Sequence, residues 1–209
     1  MSTQDVPTVF IVDDDADVRE SLQELLESVG LLSKSFGTAQ EFLLSPHGDG
    51  PSCLILDVRL PGISGLDLQL ELKKGKVSIP IIFLTAHADV PMSVKAMKSG
   101  AVEFLTKPFR HQDLLDAVKL GLEKNEAKLQ LKKANTIINS LFDSLTPREQ
   151  EVMRLVTTGI MNKQVAAEMG VSEITVKVHR GSVMRKMKAN SLVDLVRMAD
   201  MLGIRHSDT

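Results

Sequence analysis

Four apolar runs in this chain each end on a polar residue of a particular kind. Val9-Phe10-Ile11-Val12 leads into Asp13-Asp14, and Cys53-Leu54-Ile55-Leu56 into Asp57. Ile81-Ile82-Phe83-Leu84 leads into Thr85, and Glu103-Phe104-Leu105-Thr106 into Lys107-Pro108. Short apolar runs read as strands buried on both faces, the pattern of a parallel sheet. The C-terminal ends of such strands share one rim, and that rim is where α/β proteins bind ligands. Three carboxylates, one hydroxyl and one ammonium, far apart in sequence, are thereby predicted to meet in one pocket.

The segments between the runs are helical. Val18, Leu22, Leu25, Leu26 and Val29 recur at helical spacing over Asp17–Val29, and Thr38–Leu44, Gly65–Lys74 and Val90–Ser99 follow later strands. Leu31–Phe36 is a more polar strand, predicted at a sheet edge; Ile79–Leu84 and Val102–Leu105 complete five strands. Five strand–helix repeats predict a doubly wound α/β sandwich, flavodoxin-like, over residues 1–124. A helix starting near Arg110 carries a narrow stripe of Ala127, Leu131, Ala134, Ile138 and Leu141. It reads as a helical linker over residues 125–143, packing on its own domain or joining domains or protomers. From residue 144 to 209 every signal is helical. Thr146-Pro147-Arg148-Glu149 is a capping box with proline at the first helical position. Met161–Met169, Ser172–Lys188 and a helix from Ser191 to near Gly203 follow, making a compact four-helix domain.

Composition sharpens the division. The formal net charge of −2 hides −6 over residues 1–124 and +4 over 125–209. An acidic front and a basic back suit a metal-binding or signalling module joined to a polyanion-binding one. The lone cysteine, Cys53, lies in a strand and reads as a small core residue, with nothing to suggest disulfides. Met1–Thr8 lacks an apolar signal region and no apolar run approaches membrane-spanning length, so the chain is expected in the cytoplasm with no membrane partner.

Asp13, Asp14 and Asp57 would repel one another unless a cation sat between them, and a few carboxylates completed by water suit Mg²⁺. A metal-bound aspartate can act as nucleophile toward a phosphoryl group, whose spread negative charge also needs an ammonium and a hydroxyl. Asp57, Lys107 and Thr85 supply those parts. Asp13-Asp14-Asp15-Ala16-Asp17 superficially resembles a calcium loop, but its sixth position is Val18 rather than glycine and a strand precedes it. A phosphatase of the dehalogenase type would need Thr or Val closing an Asp-x-Asp run, which is absent.

On these residues the segment 8–120 resembles the receiver domain of bacterial two-component response regulators. The carriers are Val12-Asp13-Asp14-Asp15, Leu56-Asp57 through Gly65, Leu84-Thr85-Ala86, Gly100-Ala101 and Thr106-Lys107-Pro108-Phe109. The resemblance implies Asp57 as phosphoacceptor, Asp14 as a direct Mg²⁺ ligand, Asp13 as a water-mediated one and the Arg59 backbone carbonyl as a further ligand. It also implies a switch made by Thr85 and Phe104; Phe104 stands where many relatives have Tyr, so burial of the ring rather than a hydroxyl contact would report it.

At 100° per residue along Ser172–Lys188, Val176, Val183 and Met187 face a core. Ile174, Lys177, Val178, Gly181, Arg185 and Lys188 fall opposite. A solvated outer face would not carry Ile174, Val178 and a mid-helix glycine; cations mixed with small and apolar residues suit a helix in a DNA major groove. Lys163, His179, Arg180 and Lys186 would flank it as phosphate contacts. Residues 144–205 resemble the LuxR-type helix-turn-helix domain of the NarL/FixJ class. The carriers are Leu145 to Glu149, Gly159, Asn162 to Ala166, Val171-Ser172, Thr175 to His179 and Lys186-Met187. Many relatives have a long side chain at the position of Gly181.

Pro91-Met92, Ala96-Met97-Lys98 and Gly100-Ala101-Val102 point to the FixJ branch. The implied protein is not an enzyme with a separate substrate but a transcriptional regulator. Its implied partners are a sensor histidine kinase, double-stranded promoter DNA and RNA polymerase, with a homodimer formed on phosphorylation. The competing reading makes the helical domain a protein-docking module; a stand-alone phosphatase is more distant.

Overall fold

The strands form where the apolar runs lie. The computed structural model describes residues 6–75, 77–86 and 89–204. Met1–Asp5, part of the start read above as lacking a signal region, and the last five residues of the expected C-terminal domain lie outside the described residues. β1 (Thr8–Val12), β3 (Ser52–Asp57) and β4 (Ile81–Thr85) are almost wholly buried. β2 (Leu32–Phe36) mixes exposed with half-buried residues, and β5 (Glu103–Thr106) is short. The sheet is parallel throughout, in the order β2-β1-β3-β4-β5, so the polar β2 is an edge. β4 begins two residues later than its apolar run suggests, because Pro80 has no N–H to give to the ladder.

Helices α1 (Ala16–Ser28), α2 (Ala39–Leu44), α3 (Gly65–Lys74) and α4 (Val90–Lys98) start where Asp15, Thr38, Ser64 and Asp89 accept hydrogen bonds from the first turn. α5 (His111–Asp143) follows β5. Alternate residues of the central strands face opposite layers, as strand geometry requires. Phe10, Val12, Leu54, Leu56 and Phe83 pack with Phe42 of α2, Leu68 and Leu72 of α3 and Ala96 of α4. Val9, Ile11, Cys53, Ile55, Ile82 and Leu84 pack with Leu22 and Leu26 of α1 and with Leu114, Ala117 and Val118 of α5. The result is the three-layer α/β sandwich. Burial pushes the Cys53 thiol up to about 12, which makes it an inert core residue. Asn125 sets the register of α5: its Oδ1 accepts from the Ser52 N–H at 2.9 Å and its amide donates to the Ser78 carbonyl at 3.1 Å.

The chain divides into two units, Met1–Leu129 and Gln130–Thr209, with the break inside α5. In the second unit Ile138, Leu141 and Phe142 of α5 pack on a core formed with α6 (Pro147–Val156), α7 (Asn162–Met169), α8 (Glu173–Lys186) and α9 (Leu192–Leu202). Leu131, near the start of the second unit, is 62% exposed. The centre of the second unit is Val152, Met153, Val156, Val165, Val176, Val183 and Leu195.

One polar interaction is built into that core. The Glu149 side chain, 7% exposed, accepts from Lys186 Nζ at 2.6 Å and from the Thr146 N–H at 2.8 Å, closing the capping box of α6. The Lys186 hydrogen bond, the Thr146 N–H and the Ser182 hydroxyl together outweigh desolvation and hold the carboxyl down at about 2, against an ordinary 4.5. A folded-state value below the unfolded one stabilises the fold above the unfolded value, and that stability is lost as pH falls from about 4.5 toward 2. Glu149→Gln is therefore expected to cost the second unit about 1–3 kcal/mol at pH 7. In urea titrations the gap between the variant and the parent is expected to narrow toward pH 3, where the parent has lost much of the advantage of its carboxylate.

Candidate functional site

Strand register assembles the first site. Val12 pairs with Leu56, Asp57 with Leu84, and Thr85 with Thr106. The residues that follow β1, end β3 and β4 and follow β5 therefore reach the same rim. Asp13 and Asp57 are buried there, Asp14 is exposed, and Thr85 is completely buried. Carboxylate oxygens of Asp13, Asp14 and Asp57 lie within 4.8 Å of one another. Lys107 Nζ donates to Asp13 Oδ2 at 2.6 Å and to Asp57 Oδ2 at 3.1 Å, so one ammonium bridges two of the three carboxylates. The other oxygens are also engaged: Asp13 Oδ1 accepts from the Asp15 N–H, and Asp57 Oδ1 from the Arg59 N–H at 3.1 Å. The Lys107 N–H donates to the Thr85 carbonyl at 2.8 Å, which ties the ends of β4 and β5 together. The Lys107–Pro108 bond is cis, the less common isomer.

The electrostatics follow from this crowding. Burial raises the Asp13 pKa above the usual carboxylate range, a rise the Lys107 hydrogen bond and the Asp15 N–H only partly offset. For Lys107, burial alone would lower the pKa; the hydrogen bonds and charges of Asp13 and Asp57 outweigh it and raise the value. The pocket thus favours cations, and its all-oxygen donor set, with Asp14 open to solvent, fits a small hard ion such as Mg²⁺.

Two supporting features escaped the sequence reading. Arg19 of α1 donates to the Asp13 carbonyl at 2.7 Å, holding the backbone that aims the carboxylate. Gly65 donates its N–H to the Val58 carbonyl at 2.9 Å, and a Cβ there would stand 2.2 Å from the Asp57 carbonyl oxygen. The one available signal was a glycine placed directly after the helix cap Ser64, where no turn calls for it. Phe104, on β5, is half-buried with its ring 6.0 Å from that of Phe83.

The second site is the exposed side of α8. α7 ends at Gly170 in the left-handed conformation, and Ser172 caps α8 two residues later. Two short helices joined by this turn make a helix-turn-helix. Val176, Val183 and Met187 are fully buried. Ile174 and Val178 are 74% and 67% exposed, and Lys177, Gly181, Arg185 and Lys188 are exposed beside them, as is Lys163 on α7. Thr175 is half-buried, with its hydroxyl 2.9 Å from that of Ser172. His179 is half-buried; Arg180 donates to Asn162 Oδ1 at 3.0 Å and braces α8 against α7. Lys177 makes only an exposed pair with Glu173, of a kind worth a few tenths of a kcal/mol and easily exchanged. Lys186 departs from its expected role as a flanking phosphate contact. Its ammonium sits on Glu149 and near the Ser144 carbonyl, because helical periodicity gives its angle but not the carboxylate brought to it by α6.

Residues 9–119 match the family described as "Response regulator receiver domain", and residues 143–199 match "Bacterial regulatory proteins, luxR family". The chain is 56% identical to Nodulation protein W of Bradyrhizobium diazoefficiens, over 96% of this chain and 88% of that one. It is 40% identical to the transcriptional regulatory protein FixJ of Azorhizobium caulinodans, over 96% and 95%. The solved structure of the response regulator StyR superposes with a TM-score of 0.84 at 48% identity, covering 93% of this chain and 98% of that one.

The Gly65 geometry generates a direct test. Gly65→Ala must push the β3–α3 loop off the Asp57 backbone and is expected to cost about 3 kcal/mol, at the upper end for overpacking. Denaturant unfolding followed by circular dichroism checks it; a cost below about 0.5 kcal/mol would show that the loop yields freely.

Proposed function

The chain belongs to the bacterial response regulators of the NarL/FixJ family, in the FixJ-like branch, and on that footing we propose that a phosphoryl group on Asp57 controls DNA binding by α8. The observation that carries the reading is the Lys107 ammonium held between Asp13 and Asp57 in a pocket of three carboxylates.

The Asp57 carboxylate attacks the phosphorus of a phosphohistidine on a sensor histidine kinase; the P–O bond forms, the P–N bond breaks, and the imidazole leaves. Mg²⁺, held by Asp14, Asp57, the Arg59 carbonyl and, through water, Asp13, would supply charge neutralisation to the equatorial oxygens. Lys107 already reaches Asp57 and pairs with the new phosphoryl group from there. The Thr85 hydroxyl turns toward a phosphoryl oxygen, and Phe104 follows it inward. The pocket performs its own transfer and hydrolysis and has no separate substrate, so the protein acts as a regulator rather than an enzyme.

The working parts of this reading are a receiver over residues 1–124, a helical linker over 125–143 and a DNA-binding domain over 144–209. Phosphorylation promotes a homodimer through α4 and β5; Val90, Val94 and Met97 are exposed on α4, which supports that face. The two helix-turn-helix domains then take two half-sites of promoter DNA. Lys177, Val178, Gly181, Arg185 and Lys188 lie at the groove, Lys163, Thr175, His179 and Arg180 lie beside it, and RNA polymerase is the downstream partner. The site of action in this reading is the cytoplasm. Among the described residues no helix is long and apolar enough to cross a membrane.

Two measurements test the proposal. Intact mass after incubation with Mg²⁺ and acetyl phosphate is expected to show one added phosphoryl group, absent in Asp57→Asn; a gain in that variant would remove Asp57 as acceptor. Affinity for a bound duplex is expected to fall on the order of a hundredfold between 50 and 200 mM salt, since several cations per site displace counterions. Retention on a protein partner with no DNA affinity would instead favour the docking-module reading.

A further inference from the structure

Three helices of the second unit end on a left-handed residue. α7 ends on Gly170 and α9 on Gly203, both at φ 65°, the residue type that this conformation favours. α8 ends differently. Past its C-cap Met187 the left-handed position is occupied by Lys188, at φ 55°. The surrounding bonds are those of an ordinary Schellman ending: the Lys188 N–H donates to the Arg185 carbonyl at 3.2 Å and the Ala189 N–H to the Met184 carbonyl at 3.0 Å. Glycine would fit there without strain. Meanwhile α8 carries a glycine in its interior, Gly181, where a helix gains from almost any side chain.

Nothing in the described protein accounts for that glycine. A Cβ built at Gly181 meets no atom within 4 Å, and the residue's φ is not in the left-handed range. The contrast with Gly65 and Gly121 is sharp, since a Cβ there would meet backbone or the Cys53 side chain. So α8 has glycine where the fold wants a side chain and a side chain where the fold wants glycine. Both exchanges fall on its exposed face, with Ile174, Lys177, Val178 and Arg185. Departures from local preference that the fold itself does not require mark surfaces selected for something outside it.

We propose that Gly181 is a specificity notch: its bare Cα lets a base edge of duplex DNA come into contact with α8, while Lys188, held in a strained conformation, supplies an ammonium to a phosphate beside that notch. The inference rests on the DNA-binding reading above and deepens it. The cations Lys177, Arg185 and Lys188 give the face its charge complementarity to DNA, and the exposed Ile174 and Val178 are the apolar surface that thymine methyl groups seek. In this geometry the glycine selects among DNA sequences by shape, and the lysine adds affinity for any duplex.

The test uses the full chain phosphorylated with acetyl phosphate and a duplex selected by the wild-type protein from a random-sequence library. Gly181→Ala and Lys188→Gly are each expected to favour folding of the second unit by about fivefold, read as slower amide hydrogen exchange in α8. Both are expected to weaken binding to the selected duplex at least tenfold. They differ on an unselected duplex: Gly181→Ala keeps wild-type affinity and salt dependence, whereas Lys188→Gly binds more weakly with the salt slope reduced by about one. A Gly181→Ala chain that binds the selected duplex as tightly as wild type overturns the notch, as does one whose α8 exchanges faster, for then the fold itself needs the glycine. A Lys188→Gly chain with unchanged affinity removes the phosphate contact. If the wild-type chain selects no duplex at all, the DNA-binding reading fails and the inference falls with it.

Discussion

The Lys107 ammonium between Asp13 and Asp57 is the contact on which the N-terminal unit's chemistry depends. It joins the ends of β1, β3 and β5, three strands that are not all neighbours in the sheet. A buried pair of carboxylates without it would be unstable, and burial already raises the Asp13 pKa with the lysine present. The arrangement is therefore responsive to charge. A cation or a phosphoryl group entering the pocket must redistribute the bonds of Lys107, and the Lys107 N–H is tied to the end of β4 through the Thr85 carbonyl. A change of charge at one residue thus reaches two strand ends directly.

The C-terminal unit solves a different problem with a similar device. Its working helix must keep one face dry and offer the other to a partner. Val176, Val183 and Met187 anchor the dry face, and the Glu149–Lys186 pair fixes the far end of α8 against the start of α6. Arg180 on Asn162 sets the angle between α8 and α7. Two of the cations on α8 are thus committed to holding the helix in place, and the exposed ones remain to meet a polyanion. Counting positive charges along the helix would merge these two groups, which differ in what their ammonium or guanidinium already touches.

Much of this was legible before any coordinates. The five strands, the edge position of β2, the caps at Thr146, Ser172 and Ser191 and the buried face of α8 all follow from local patterns of residue type and of periods 2 and 3.6. The convergence of Asp13, Asp57, Thr85 and Lys107 was also legible, because a parallel sheet leaves its strand ends no other rim to share. The roles of Arg19, Gly65 and Asn125 were not. Each acts on a residue brought near by packing: Arg19 on a backbone carbonyl, Gly65 on the far side of a loop, Asn125 on two strands at once. The commitment of Lys186 to Glu149 was hidden for the same reason, and the break between units falls inside α5, where the helical pattern runs on without interruption.

The sequence by itself determined which residues could carry the chemistry and which unit each belongs to, since hydrophobic periodicity and residue type are local properties. The tertiary structure alone decided which of those residues are free to act. It placed one ammonium across two carboxylates, engaged one predicted phosphate contact in an ion pair, and, among the described residues, left open space where a Cβ of Gly181 in α8 would stand. Those outcomes depend on distances between segments far apart in the chain, and such distances are set by packing, which no local pattern records.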